Sequence, residues 1–104
     1  MNVDVTIAGD ELTAIIQVTG DLAYGSTDVF VRAVADLTAR ARGLRHLRVD
    51  MAALRFFDSA GLASLLTAHS QAAAAGMELH LDNRPAQLNR VLDITGMQKL
   101  FAAG

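Results

Sequence analysis

The chain has 104 residues, of which 52% are apolar and 19% are charged, and its formal net charge is -2. This length fits one domain with one core, spanning residues 1–104, and the apolar content excludes a disordered chain. The slightly negative charge excludes the basic surface that a nucleic-acid-binding domain needs.

The sequence contains no cysteine, which excludes disulfides, thiolate metal sites and cysteine nucleophiles. The first residues carry no basic segment followed by a long apolar one, as a secretion signal would. No apolar run approaches the roughly 20 residues that span a bilayer. We therefore expect a cytoplasmic protein that does not insert into a membrane.

The first half of the chain predicts a hairpin followed by a helix. Val3 to Ile7 alternate as a strand, Gly9-Asp10 is a turn signal, and Leu12–Val18 predicts a second strand. Gly20–Gly25 is expected to be a loop. Ser26 or Thr27 then caps a helix that reaches about Arg42, whose inner face carries Phe30, Ala33, Val34, Leu37 and Ala41.

The second half continues the alternation of strands and helices. The predicted segments are a strand at His46–Met51, a helix from Ser59 or Ala60 to about Ala75, a strand at Met77–Leu81, a helix from Pro85, and a short last helix at Met97–Phe101. This order indicates the α/β class. We predict a small mixed sheet of four to five strands with about four helices packed mainly on one face.

The junction Arg55–Leu62 connects a strand pattern to a helix pattern, and Ser59 falls where a helix cap is expected. A serine hydroxyl there would accept hydrogen bonds from the free amides of the first turn. The same amides and the helix dipole would also favour a phosphate on that oxygen. The sequence leaves two interpretations of Ser59, a structural cap and a charge switch.

Motifs for catalysis are incomplete. Gly20–Thr27 has the glycine spacing of a phosphate-binding loop, but Ser26 stands where that loop needs lysine, so a turn followed by a cap is favoured. Phe57–Gly61 lacks the first glycine of a nucleophile elbow. His46, His69 and His80 have neither triad nor metal-site spacing, and His69 reads as a core or edge histidine. We expect no catalytic residue, no metal and no cofactor.

Several segments together resemble one family. They are Val49–Met51, Phe56–Leu62, Leu65-Leu66, Gly76–Leu79, Asn83, Arg90–Met97 and Phe101. This combination is similar to STAS domains, and more narrowly to bacterial anti-sigma factor antagonists. The resemblance covers nearly the whole chain and implies a STAS-like fold, a small sheet with helices mainly on one side.

The resemblance also implies a mechanism of partner switching. The unmodified antagonist binds an anti-sigma factor of the serine kinase type and frees the sigma factor, and phosphorylation, here of Ser59, ends the binding until a phosphatase reverses it. The residues it implies for partner binding are Phe57, Asp58, Ser59, Ala60, Gly61, Ala23, Ser26 and Thr27. The family usually carries aspartate at the position of Ala23. Gly61 is expected to keep the first helical turn open to the partner, and the helix N-terminus to hold the phosphate.

Three other functions compete with this one. The first is a cytoplasmic STAS subunit of a lipid ABC transporter, which would bind the transporter ATPase. The second is a nucleotide-binding module or enzyme that uses the Gly20–Thr27 loop. The third is a scaffold domain in which Ser59 only caps a helix, so that Ser59→Asp would leave partner binding unchanged.

Overall fold

A computed structural model describes residues 1–40 and 43–101. The elements in chain order are β1 (Asn2–Ile7), β2 (Thr13–Leu22), α1 (Thr27–Arg40), β3 (His46–Phe57), α2 (Ser59–Ala74), β4 (Glu78–Asp82), α3 (Ala86–Thr95) and a 3-10 turn (Met97–Leu100). The predicted α/β class with a small mixed sheet is confirmed. The predicted helix end at Ala41 and Arg42 lies outside the described residues.

The four strands form one sheet in the order β1-β2-β3-β4. β1 runs antiparallel to β2, whereas β2, β3 and β4 are parallel to one another. α1 and α2 connect the parallel strands, as the alternating sequence pattern predicts. The Asp10 side chain stabilises the β1-β2 turn by accepting a hydrogen bond from the Leu12 amide at 2.9 Å. Because β1 is the outermost strand in this order, the hairpin forms one edge of the sheet.

β2 and β3 are both longer than their apolar patterns predict. The prediction of a loop at Gly20–Gly25 is wrong for residues 20–22, because β2 continues to Leu22 and β3 continues beside it to Phe57. β2 and β3 stay paired over this length, with shifts in their register after Gln17 and after Gly20. Gly20 has a φ of 98°, which lets the strand pass through this irregularity. The longer strands carry their carboxyl ends to the junction with α2.

The core lies between the inner face of the sheet and the two long helices. Ile16, Leu47, Val49 and Leu81 are buried from the sheet side. α1 contributes the predicted residues Phe30, Val34 and Leu37, while its charged positions Asp28, Arg32, Asp36 and Arg40 are exposed.

Helical spacing in the second helix predicts an inner face of Leu62, Leu65, Leu66, His69 and Ala73, and the observed inner face of α2 differs from it. Its buried residues are Gly61, Ser64, Leu65, Ala68 and Ala72, whereas the predicted Ala73 is exposed and Leu62 and Leu66 are only partly buried. The helix is rotated toward its small residues, since alanine and glycine let its backbone approach the sheet more closely than leucine would.

Candidate functional site

Asp58 joins the end of β3 to the start of α2. Its backbone is extended, and its carboxylate Oδ1 accepts a hydrogen bond from the Gly61 amide at 2.9 Å. This is the position and the contact of a helix N-cap. Of the two interpretations of Ser59, the structural cap is therefore wrong, because the cap is the preceding aspartate.

Ser59 is the first residue of α2 and its side chain is exposed. Among residues 1–40 and 43–101, no hydrogen-bond partner is found for its hydroxyl group. Since Asp58 already caps the helix, the Ser59 hydroxyl has no structural role in the cap. It points to solvent at the positive end of the helix dipole, where negative charge is favoured.

The second carboxylate oxygen of Asp58 reaches the loop between β2 and α1. Oδ2 accepts a hydrogen bond from the Tyr24 amide at 3.0 Å. The bond from Tyr24, and after it the bond from Gly61, hold the pKa of Asp58 below its usual range. One ionised side chain thus connects the two segments that the sequence predicts for partner binding.

Ser26 stabilises the turn before α1. Its hydroxyl oxygen accepts a hydrogen bond from the Ala23 amide at 3.1 Å and lies 3.0 Å from the Ala23 carbonyl and 2.9 Å from that of Asp21. Ser26 directly precedes α1, as expected, but these contacts are with the turn rather than with the amides of the helix. Thr27 is the first residue of α1 and is half-buried.

Gly61 is buried and faces the sheet. A Cβ atom at this position would overlap the carbonyl oxygen of Leu22 and lie 2.9 Å from its carbonyl carbon. The expectation that Gly61 leaves room for a partner is therefore wrong, because the space is filled by the backbone of β2. Phe57 also turns inward and packs on the core, and Ala60 is half-buried.

Two aromatic side chains near this junction are exposed. Tyr24 is 90% exposed and Phe56 is 56% exposed. Because Phe56 and Phe57 are apolar neighbours entering a turn, the sequence predicts that one of them packs inward; Phe57 does so, and Phe56 is exposed. The sequence does not mark Tyr24 as a site residue, apart from its position beside Gly25 in a predicted loop. Its backbone bond to Asp58 locates it near Ser59.

A second polar cluster lies at the opposite end of β3. His46 Nδ1 is 3.1 Å from His80 Nε2 and 3.7 Å from Glu78 Oε2. The spacing of these residues in the sequence does not reveal the group, since 34 residues separate the two histidines and the parallel register of β3 and β4 makes them neighbours. His69 is not part of it and packs edge-on against Phe101, as expected of an edge histidine.

Asp58→Asn is expected to make stability less sensitive to acid. Because the folded pKa of Asp58 is lowered from 3.8, its contribution is present above about pH 3.8 and is lost as pH falls through the folded value. Asparagine can still cap the helix but does not titrate. Urea unfolding between about pH 2 and pH 5 measures the difference. Asp50, whose pKa is also lowered, leaves a smaller acid dependence in the variant. Identical pH profiles of wild type and variant would contradict the prediction.

The comparisons with known proteins concern nearly the full chain. A sequence profile described as "Mlab, STAS domain" matches residues 5–102. An anti-sigma F factor antagonist of Paenibacillus polymyxa is 25% identical over 101 residues, which are 97% of this chain and 86% of that protein. Within the described ranges, no helix has both the length and the apolar character needed to cross a membrane.

Solved structures share the fold. A putative anti-sigma factor antagonist of Thermotoga maritima has a TM-score of 0.79 at 17% identity, covering 95% of this chain and 82% of that one. The Bacillus cell fate determinant SpoIIAA in its phosphorylated form has a TM-score of 0.74 at 14% identity, covering 99% and 91%. Since the family profile matches all but a few residues at each end, this chain belongs to the STAS domain family.

Proposed function

We propose that this protein is an anti-sigma factor antagonist that acts in the cytoplasm. In its unphosphorylated form it binds an anti-sigma factor of the serine kinase type, which releases the sigma factor. Phosphorylation of Ser59 ends the binding, and a phosphatase restores it. The observation that carries this proposal is the exposed hydroxyl of Ser59, which stands at the start of α2 while Asp58 performs the capping.

The comparisons support a binding protein of this kind rather than an enzyme. The relative from Paenibacillus polymyxa is named an anti-sigma F factor antagonist. One of the proteins with the same fold has been solved in a phosphorylated form. The Ser26 hydroxyl is hydrogen-bonded within the turn at Ala23, and Ser26 stands where a phosphate-binding loop carries lysine. Both features argue against nucleotide binding by this loop.

The charges around Ser59 explain how phosphorylation would release the partner. A phosphoryl group adds about -1.5 to -2 charges. It would lie next to the ionised Asp58, which already accepts the Gly61 amide. The phosphate could therefore not take the Gly61 amide without displacing Asp58, and the helix end would hold it through the dipole and the other amides of the first turn. An interface built around a neutral hydroxyl would then enclose several negative charges without a partner cation.

The exposed surface around Ser59 has the composition of a binding interface. Tyr24 and Phe56 expose large aromatic side chains, and aromatic residues are frequent binding hot spots. Ala23, Ser26 and Thr27 lie in or beside the loop that Asp58 fixes to α2. We infer that the anti-sigma factor contacts this loop and the first turn of α2 together. Phe57 and Gly61 would support the surface from beneath.

The direct test is phosphorylation by the anti-sigma factor of the source organism. The purified kinase, the wild-type protein and ATP are expected to give one phosphate per chain, which mass spectrometry places on Ser59. Ser59→Ala should remain unmodified. Ser64 serves as an internal control because it is buried and donates a hydrogen bond to the Gly61 carbonyl at 2.6 Å. A phosphate at another residue would contradict the proposal.

Affinity capture from the source cells separates this function from its main alternative. Recovery of a soluble kinase-like anti-sigma factor supports the antagonist. Recovery of a membrane transporter ATPase instead would identify the chain as a transporter subunit.

A further inference from the structure

The ends of β3 and β4 carry three potential metal ligands on one face of the sheet. His46 begins β3, and in the parallel register it lies opposite Glu78, which begins β4, while His80 lies opposite Arg48. His46, Glu78 and His80 point away from the helix-covered core, because the intervening Leu47 and Leu79 are buried in it. The ligand atoms of the three side chains all lie within 4.8 Å of one another.

The separations fit a tetrahedral ion. Nitrogen and oxygen ligands at the usual bond lengths to zinc lie about 3.4 Å from each other. His46 Nδ1 is 3.1 Å from His80 Nε2 and 3.7 Å from Glu78 Oε2. The third separation, between the ligand atoms of His80 and Glu78, is at most 4.8 Å, so rotation of the exposed Glu78 side chain would bring all three donors around one ion. The other nitrogen of His80, Nδ1, is buried with no hydrogen-bond partner among the described residues, so Nε2 is the nitrogen available to a metal.

A cavity beside the cluster would let an ion enter, and a neighbouring ion pair holds β3 and β4 together. A surface cavity of about 560 Å³, lined by Arg45, His46, Gly76, Met77 and Glu78, opens beside the cluster and has room for a water as a fourth ligand. Arg48, which lies opposite His80, donates two hydrogen bonds to Asp82, at 2.8 and 2.9 Å. This ion pair fixes β4 against β3. Arg45 is exposed, so water screens its charge.

We propose that His46, Glu78 and His80 form a binding site for a divalent transition-metal ion of the zinc type. Two imidazoles and one carboxylate with an open fourth position are a donor set that suits zinc. The site is separate from the proposed phosphorylation site, because β3 has 12 residues and the two sites lie at its opposite ends, roughly 36 Å apart along the strand at about 3.3 Å per residue. The competing explanation is a pair of histidines joined by a hydrogen bond, with no metal ion.

The test is a calorimetric titration of ZnCl₂ into tag-free protein that has been treated with a chelator. We expect one zinc ion per chain in the wild type. Affinity should be weaker by at least about tenfold in His46→Gln and in Glu78→Gln. Both residues are at the surface, whereas replacing the buried His80 risks unfolding the chain. His69→Gln is the matched control and should bind as the wild type does, as should Ser59→Asp.

Cobalt provides an independent measurement. Co²⁺ bound to the wild type should show the strong visible absorption of tetrahedral coordination, and His46→Gln should not show it. The absence of saturable binding by the wild type would establish a hydrogen-bonded histidine pair only and overturn the proposal. Equal zinc affinity of His46→Gln and His69→Gln would do the same, since it would place the ion elsewhere.

Discussion

Ser59→Asp is expected to weaken binding to the kinase-type anti-sigma factor by at least about thirtyfold, which corresponds to about 2 kcal/mol. The substitution places a permanent negative charge beside the ionised Asp58. The fold should be retained, because an acidic residue in the first turn of a helix interacts favourably with its dipole. Isothermal titration of the purified partner into each variant measures the affinity, and circular dichroism confirms the fold.

Two variants control for the charge itself. Ser70→Asp adds the same charge to an exposed serine of the same helix, about three turns from Ser59, and should bind like the wild type. Ser59→Ala removes the hydroxyl without adding charge and should also bind. If Ser59→Asp and Ser70→Asp bound equally well, the charge at the start of α2 would not control the interaction.

Gly61→Ala is expected to lower the free energy of unfolding by at least about 3 kcal/mol, at the upper end of the usual cost of overpacking. The added Cβ would overlap the Leu22 carbonyl oxygen and lie 3.3 Å from the Leu22 Cγ. Since the obstacle is the backbone of β2, it cannot move as the end of a flexible side chain can. α2 would have to shift away from the sheet, which would also disturb the bond between Asp58 and the Gly61 amide.

Urea unfolding of the wild type, Gly61→Ala and Gly9→Ala tests this explanation. Gly9 has no heavy atom within 4 Å of an added Cβ and does not have a positive φ. Gly9→Ala should therefore change stability by less than about 0.5 kcal/mol. Equal stability of Gly61→Ala and wild type would mean that α2 does not need its close approach to β2.

Local sequence patterns predict the order of the elements and the junction that carries the proposed phosphorylation site. Alternation in β1 and β4 and the helical spacing of Phe30, Val34 and Leu37 are local patterns, and they predict local structure. The junction Phe56–Leu62 was recognisable because its residue types are consecutive in the chain. Local patterns also favour Ser59 over Asp58 as the cap of α2. Both residue types are good caps, and the exact first residue of a helix is its least predictable part.

Contacts between residues that are distant in the chain could be read from the three-dimensional fold alone. Asp58 bonds to the Tyr24 amide and His46 contacts His80, and each pair is 34 residues apart. Gly61 is buried because α2 lies against the backbone of Leu22. These contacts depend on the parallel register, on the irregular pairing near Gly20 and on the rotation of α2 toward its small residues. Such features arise from packing between elements, and no periodicity within a single element encodes them.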